Sequence, residues 1–308
     1  MSEPALSSGA RLVMAGILGL LVVASVVAWR LTKRGPAGKY LELVQRVRSW
    51  WVMVAVFGIA IAIDRRLSIA FFALVSFLAL KEYLSLIPTR RADRRVLFWA
   101  YLSIPLQYYW VYRGWYGIFI VFIPVWMALV VPARMVLIGE TRDFLRAVGT
   151  IQWGLLTMVF GISHQAYLLV LPPEGGAALV LYLVVLTQLN DVAQYVWGKT
   201  LGRHKVVPTV SPNKTVEGLI GGLITTTVLA VLLAPLLSPL TRAHSIAAGL
   251  MIGAGGFLGD ITISAVKRDI GVKDAGSMLP GHGGVLDRIN SLTFTAPMFF
   301  HFVRFYYY

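Results

Sequence analysis

The sequence predicts an all-α fold, a polytopic membrane helix bundle of about nine to ten transmembrane helices. Three observations predict it. Hydrophobic residues fill 57% of the 308 positions and charged residues only 14%, where an ordinary soluble domain carries about 25% charged residues. The apolar residues gather in segments near 12–30, 49–63, 67–87, 96–112, 114–138, 147–171, 176–198, 216–238, 245–264 and 291–308. Most of these are long enough to cross a hydrocarbon core of about 30 Å. The connections between them alternate in charge, as a membrane topology requires.

The first apolar run, Leu12 to Ala28, is read as a retained helix: it is long for a cleaved signal, and Trp29-Arg30 follows in place of a small-residue cleavage site. The second is short, and Asp64-Arg65-Arg66 joins it tightly to the third. Connections 30–48, 88–95, 139–146, 199–215 and 265–290 hold 6, 4, 2, 4 and 4 Lys/Arg residues. The alternate side holds Arg11, Arg65, Arg66, Arg113, Arg242 and Arg304. The bias places the first set in the cytoplasm, as in a bacterial inner membrane protein. It also accounts for much of the net charge of +14 without nucleic acid, and it favours anionic lipid head groups. Phe305-Tyr306-Tyr307-Tyr308 reads as an aromatic belt at the opposite interface.

Residues 1–150 read as an N-terminal transmembrane bundle with basic loops, and 151–308 as a C-terminal region holding the polar chemistry. Arg90, Arg91, Arg94 and Arg95 read as topology determinants, and Lys81 and Arg134 as snorkelling side chains. His164, His204, His244 and His301 read as ordinary polar residues. The sequence has no cysteine, which excludes disulfides and thiolate metal sites.

Several polar residues need more explanation. Asp260 stands in an apolar helix, where a carboxylate costs a few kcal/mol by insertion scales. It shares a helix face with Ser264 and Lys267, so the local alternatives are a structural Asp260–Lys267 pair or a functional acid. The glycines at 253, 255, 256 and 259 allow close backbone approach. Asp191 shares a face with Gln188 and Tyr195, and a third acid, Asp287, precedes the last segment. Acids converging at one depth repel unless a cation joins them, and hard oxygen ligands suit Mg²⁺. Ser211-Pro-Asn213-Lys214-Thr215 opens the eighth segment. It is either an ordinary helix start or an anion site built from backbone N–H groups and Lys214. Between Ser264 and Asn290 the chain carries seven formal charges, a histidine and five glycines.

The residues of this stretch, Val266-Lys267-Arg268, Lys273-Asp274, Leu279-Pro280, His282-Gly283-Gly284 and Asp287-Arg288-Ile289, closely resemble the signature of the phosphatidate cytidylyltransferases, also called CDP-diacylglycerol synthases. Asp191 with Tyr195 and Gly198-Lys199, and Ser211 to Gly218, resemble that family's earlier motifs in the same order. The resemblance covers roughly 176–290. It implies that CTP and phosphatidic acid become CDP-diacylglycerol and pyrophosphate at the cytoplasmic face, with Mg²⁺ as cofactor. It implies metal-binding roles for Asp260 and Asp287, with Asp191 supporting the metal shell. Lys267, Arg268, Lys273 and Asp274 would join Asp191 in catalysis. Ser211, Asn213, Lys214, Thr215, His282, Gly283 and Arg288 would hold substrate. Two positions depart from the family pattern: Asn290 stands where an aspartate is usual, and Gln194 where a small residue is usual. A CTP-dependent lipid kinase, a membrane transporter and a catalytically weakened lipid-binding paralogue are the alternative readings, and a homodimer is a further expectation.

Overall fold

The computed structural model describes residues 6–34, 40–87, 94–139, 141–173, 175–276 and 283–308. Among these residues the chain forms ten long helices and one short one. They are α1 (Ser8–Arg34), α2 (Leu41–Ile63), α3 (Arg65–Leu86), α4 (Arg94–Arg113), α5 (Tyr116–Val136), α6 (Phe144–Leu168), α7 (Gly176–Leu201), α8 (Val216–Leu237), α9 (Arg242–Asp269), the short α10 (Val285–Ile289) and α11 (Leu292–Tyr307). Eight of the long helices are long and apolar enough to cross a membrane. The other two are α4, with two arginines at its start and one at its end, and α11, of 16 residues. The protein is an all-α integral membrane bundle, and each of the ten apolar segments of the sequence lies on one of the ten long helices.

The second segment is longer than its hydropathy indicates. Helix α2 begins at Leu41, because Leu41 to Arg48 is helical but polar on its outer face. The link to α3 is the single residue Asp64, which is extended (φ −156°, ψ 146°) and caps α3 by accepting from the Arg66 N–H at 3.1 Å. A carboxylate at this position satisfies one of the helix's otherwise unpaired donors. Thr215 and Thr241 cap α8 and α9 in the same way.

Helix α7 is the axis of the C-terminal half. Every residue from Gly176 to Leu183 is buried, as expected for a helix apolar all round. Helices α8 and α9 pack on it and on each other, and α11 packs on α9. Inside this group Asn190 donates to the Gly253 carbonyl at 3.2 Å and accepts from the Thr226 hydroxyl at 3.0 Å. Interhelical bonds of this kind contribute about 0.6 kcal/mol each. Helix α6 packs on α11 and on α3, and α3 also packs on α10, so α3 joins the two halves of the chain.

The expected close approach occurs along α9. A Cβ added at Gly259 would lie 2.6 Å from the Asn290 carbonyl oxygen and 3.0 Å from Ser291 Cα. The glycine therefore lets the segment after α10 lie directly on α9. Gly259→Leu is expected to force the two apart and to destabilise the bundle by about 1–3 kcal/mol. Reversible unfolding in mixed micelles, compared with wild type, checks this.

Candidate active site

The polar residues that the sequence scatters over a hundred positions meet at one end of the bundle. The end of α7, the loop to α8, the end of α9 and helix α10 lie together there, joined by the end of α3 and the start of α2. Inter-segment bonds define the cluster: Gln188 of α7 donates to the Arg288 carbonyl at 3.3 Å, Arg268 of α9 donates to the Val210 carbonyl at 3.3 Å, and Glu82 of α3 accepts from α10.

The loop before α8 is tied down by its own sequence. Lys205 and Thr215 form an antiparallel bridge. Glu217, in the first turn of α8, accepts from the Arg203 and His204 backbones and from His204 Nδ1. This presents Lys214 to the bundle interior. Its Nζ lies 2.6 Å from Asp260 Oδ2 and 3.1 Å from Gln194 Oε1. Gln194 thus serves as a second acceptor for Lys214. The Thr215 hydroxyl accepts from the Gly218 N–H and faces Gly198 and Gly202, so it closes the α7–α8 junction. Ser211 enters the turn through its backbone, and Asn213 is exposed.

Asp260 does not pair with Lys267. Its second oxygen, Oδ1, accepts from Asn290 Nδ2 at 2.6 Å. The amide orientation follows from the network: Asn290 Oδ1 accepts the Ser291 N–H at 2.8 Å, which turns Nδ2 toward Asp260. An asparagine here donates to the carboxylate, where an aspartate would repel it. Ser291 itself donates its hydroxyl to both oxygens of Asp191, at 3.0 and 2.9 Å.

Lys267 lies two turns beyond Asp260 on α9, and its Nζ lies 2.8 Å from Asp287 Oδ1. Both side chains are nearly buried, 12% and 6% exposed, so removing either leaves an uncompensated charge. That costs about 3–5 kcal/mol. Asp287 Oδ2 accepts the Ala275 and Gly284 N–H groups at 2.8 and 3.0 Å. A side chain at position 283 would press on this carboxylate, and Gly283 also has a positive φ of 81°. A glycine meets both conditions.

Glu82 of α3 completes the α10 start. Its two oxygens accept the Val285 and Leu286 N–H groups at 3.0 and 2.8 Å. With Asp287 on Gly284, three of the first N–H groups of this short helix are met by two carboxylates. Sequence reasoning missed Glu82, although an acid one residue from Lys81 inside an apolar segment is itself a signal. Lys81 is exposed, as expected. Arg46 and Trp50 of α2, which line the same cavity as Asp191 and Arg288, were also missed.

The remaining candidates are arranged less tightly. Lys273 and Asp274 are exposed. Arg268 spans the Val210 and Val272 carbonyls, each at 3.3 Å, and so fastens the loop. His282 lies outside the described residues. Arg288 pairs with neither Asp269 nor Asp274. Burial pushes its pKa down, while Asp287, Asp191 and Asp260 pull it back up. That influence places three acids within electrostatic reach of one guanidinium.

Among the described residues, no group of three or more His, Cys, Asp and Glu side chains surrounds one point. The donors that do line the site are carboxylate, amide and hydroxyl oxygens. This set fits Mg²⁺, which is usually held by one or two carboxylates and completed by substrate phosphates.

Lysines, acids and a fastened loop thus meet at the polar end of an apolar bundle, an arrangement suited to binding phosphates. The comparisons make the class definite. A model of the Cytidylyltransferase family matches residues 44–306, and the chain belongs to that family. It is a nucleotidyltransferase. It is 47% identical over 295 residues to Uncharacterized protein YnbB of Escherichia coli (strain K12), covering 95% of this chain and 97% of that one. It is 39% identical over 124 residues to a phosphatidate cytidylyltransferase of Staphylococcus aureus (strain COL), covering 40% and 48% of the two chains. It is 46% identical over 114 residues to that of Synechocystis sp. (strain ATCC 27184 / PCC 6803 / Kazusa), covering 37% and 39%. The matches to the two named enzymes thus span less than half of their length.

Glu82→Gln keeps the size of the side chain but replaces one acceptor oxygen with a donor facing an N–H. It is expected to lower turnover about tenfold, the loss of one charge-assisted bond of about 1.5–3 kcal/mol. Glu82→Ala is expected to lower it further. Turnover measured beside thermal unfolding of each purified variant tests whether the loss exceeds that from unfolding.

Proposed function

We propose that the protein transfers the cytidylyl group of CTP to phosphatidic acid, leaving CDP-diacylglycerol in the bilayer and releasing pyrophosphate. The observation that carries this is the meeting of Lys214, Lys267, Asp191, Asp260 and Asp287 at one end of a membrane bundle. The basic connections support the reading that this end faces the cytoplasm, as in an inner membrane protein.

The attacking atom is a phosphate oxygen of the lipid. A phosphomonoester is already largely ionised at neutral pH, with a second pKa near 6, so it needs no strong base. A new bond forms between that oxygen and the α-phosphorus of CTP. The bond from the α-phosphorus to the bridging oxygen breaks, and its electron pair leaves with pyrophosphate. The obstacle is repulsion between two anions, so catalysis means positioning and charge neutralisation.

Lys214 and Lys267 are suited to that task. Each ammonium now rests on a carboxylate, and its four-carbon stem lets it move to a phosphate oxygen. Glu217 and Arg268 hold the loop and helix end from which they reach. Asp260 and Asp287 would hold Mg²⁺, with Asp191 beside them. When bound, the ion would draw charge from the leaving pyrophosphate. Asn290 brings no charge to this group. Its amide keeps Asp260 oriented, and the site carries one negative charge fewer than it would with an aspartate there.

Purified protein given CTP, phosphatidic acid and Mg²⁺ is expected to form CDP-diacylglycerol and pyrophosphate. Asp260→Asn and Asp287→Asn are each expected to lower kcat about 10²-fold or more, the scale of losing one oriented electrostatic contact. Release of CDP with a phosphorylated lipid would replace this reading with a lipid kinase. Full activity in both variants would remove the metal assignment.

A further inference from the structure

A cavity of about 290 Å³ opens where α2 faces α7 and α10. Arg46 and Trp50 come from α2, Gln188, Asp191 and Tyr195 from α7, and Arg288 from α10. Arg46 and Trp50 are four residues apart and so lie on the same face of their helix. Arg46 is half exposed and pairs with Glu42 on its own helix; such a surface pair is weak and readily exchanged. Arg288 is different. Its Nε is buried and has no hydrogen-bond partner among the described residues. A buried donor left in this way costs about 1–3 kcal/mol unless a ligand meets it.

The two guanidiniums line the same cavity. Two like charges on one cavity, one of them with a buried open donor, are the arrangement an anion would satisfy. Planar guanidiniums match a phosphate through paired N–H groups. Asp191 on the α7 wall repels an anion and confines it to the arginine side. The surroundings indicate a lipid source. Helix α2 packs chiefly on α1 and α3, so its face toward α7 flanks an opening. Val192 and Tyr195 on that side of α7 are exposed, 48% and 62%, and apolar chains can lie against them. Trp50 and Tyr195 are the aromatic types that sit at head-group level.

We propose that Arg46 and Arg288 cradle the phosphate monoester of the lipid acceptor, which enters sideways between α2 and α7 with its acyl chains still in the hydrocarbon. This rests on the phosphatidate acceptor proposed above. It gives the N-terminal half a direct part in choosing the substrate: Arg46 selects a lipid with an open phosphate over one whose head group is neutral or capped.

The test uses full-length protein in detergent, with dioctanoyl phosphatidate and dioctanoylglycerol as probes. Binding of each is measured directly, and KM is measured for phosphatidate and for CTP. Arg46→Ala is expected to raise the Kd and KM for phosphatidate about tenfold, one charge-assisted contact, and to leave the KM for CTP unchanged. Arg46→Lys should recover part of the loss. Arg48→Ala, on the same helix but lining the cavity toward α1, should behave as wild type. If Arg46→Ala instead raises the KM for CTP, or changes neither constant while wild type makes CDP-diacylglycerol, the cradle is wrong and the reaction stands. Equal binding of the two probes by wild type also overturns the cradle. If phosphatidate binds in an Arg46-dependent way but no CDP-diacylglycerol forms, the cradle stands and the reaction is wrong.

Discussion

A carboxylate held beside hydrocarbon must be met by a cation or by N–H and O–H donors, and the polar end of this protein is organised around that requirement. Asp260 is met by Lys214 and Asn290, Asp287 by Lys267 and two backbone N–H groups, and Asp191 by Ser291. Apart from the Gly284 N–H, which belongs to the start of α10 itself, each donor comes from a different segment than its acid, so meeting the charges also draws α7, α8, α9 and α10 into register. An isolated buried charge costs far more than a surface ion pair returns. The network therefore holds as a unit, and weakening one member exposes the others.

The same requirement gives α10 its place. A helix of five residues has no intrinsic stability of its own. It persists because Asp287 and Glu82 occupy its first N–H groups, while Leu286 and Ile289 are buried. Glu82 belongs to α3, two hundred residues earlier. The N-terminal half thus braces the segment that carries Asp287 and Arg288. Its contribution to the site is structural through α3, and through α2 it supplies the guanidinium of Arg46.

Lysine is well matched to a site that must be charge-balanced both empty and filled. Lys214 and Lys267 neutralise acids without substrate, and their stems are long enough to turn to a polyphosphate. An arginine in a planar bidentate pair would be less free to move. Arg268, which fastens the Val210 and Val272 carbonyls, fits that contrast: the mobile ammoniums face the acids, and the planar guanidinium ties the scaffold.

The ten apolar segments, the alternation of basic loops and the Asp64 break were legible in the sequence, because hydropathy and capping act over a few residues and leave a local pattern. The types of residue in the site were legible too, since acids, lysines and glycines are conspicuous against an apolar background. Their partners were not. Asp260 and Lys267 share a helix face, and spacing alone allows them to pair, yet the loop before α8 delivers Lys214 to Asp260 and α10 brings Asp287 to Lys267. Glu82 drew no reading from the sequence, and Arg46 counted only among the basic residues of connection 30–48. Sequence by itself determined which chemistry the protein can hold. Tertiary packing decided which charges touch, because those contacts depend on how far each helix extends and how closely glycines let neighbours approach, quantities set by the whole bundle at once.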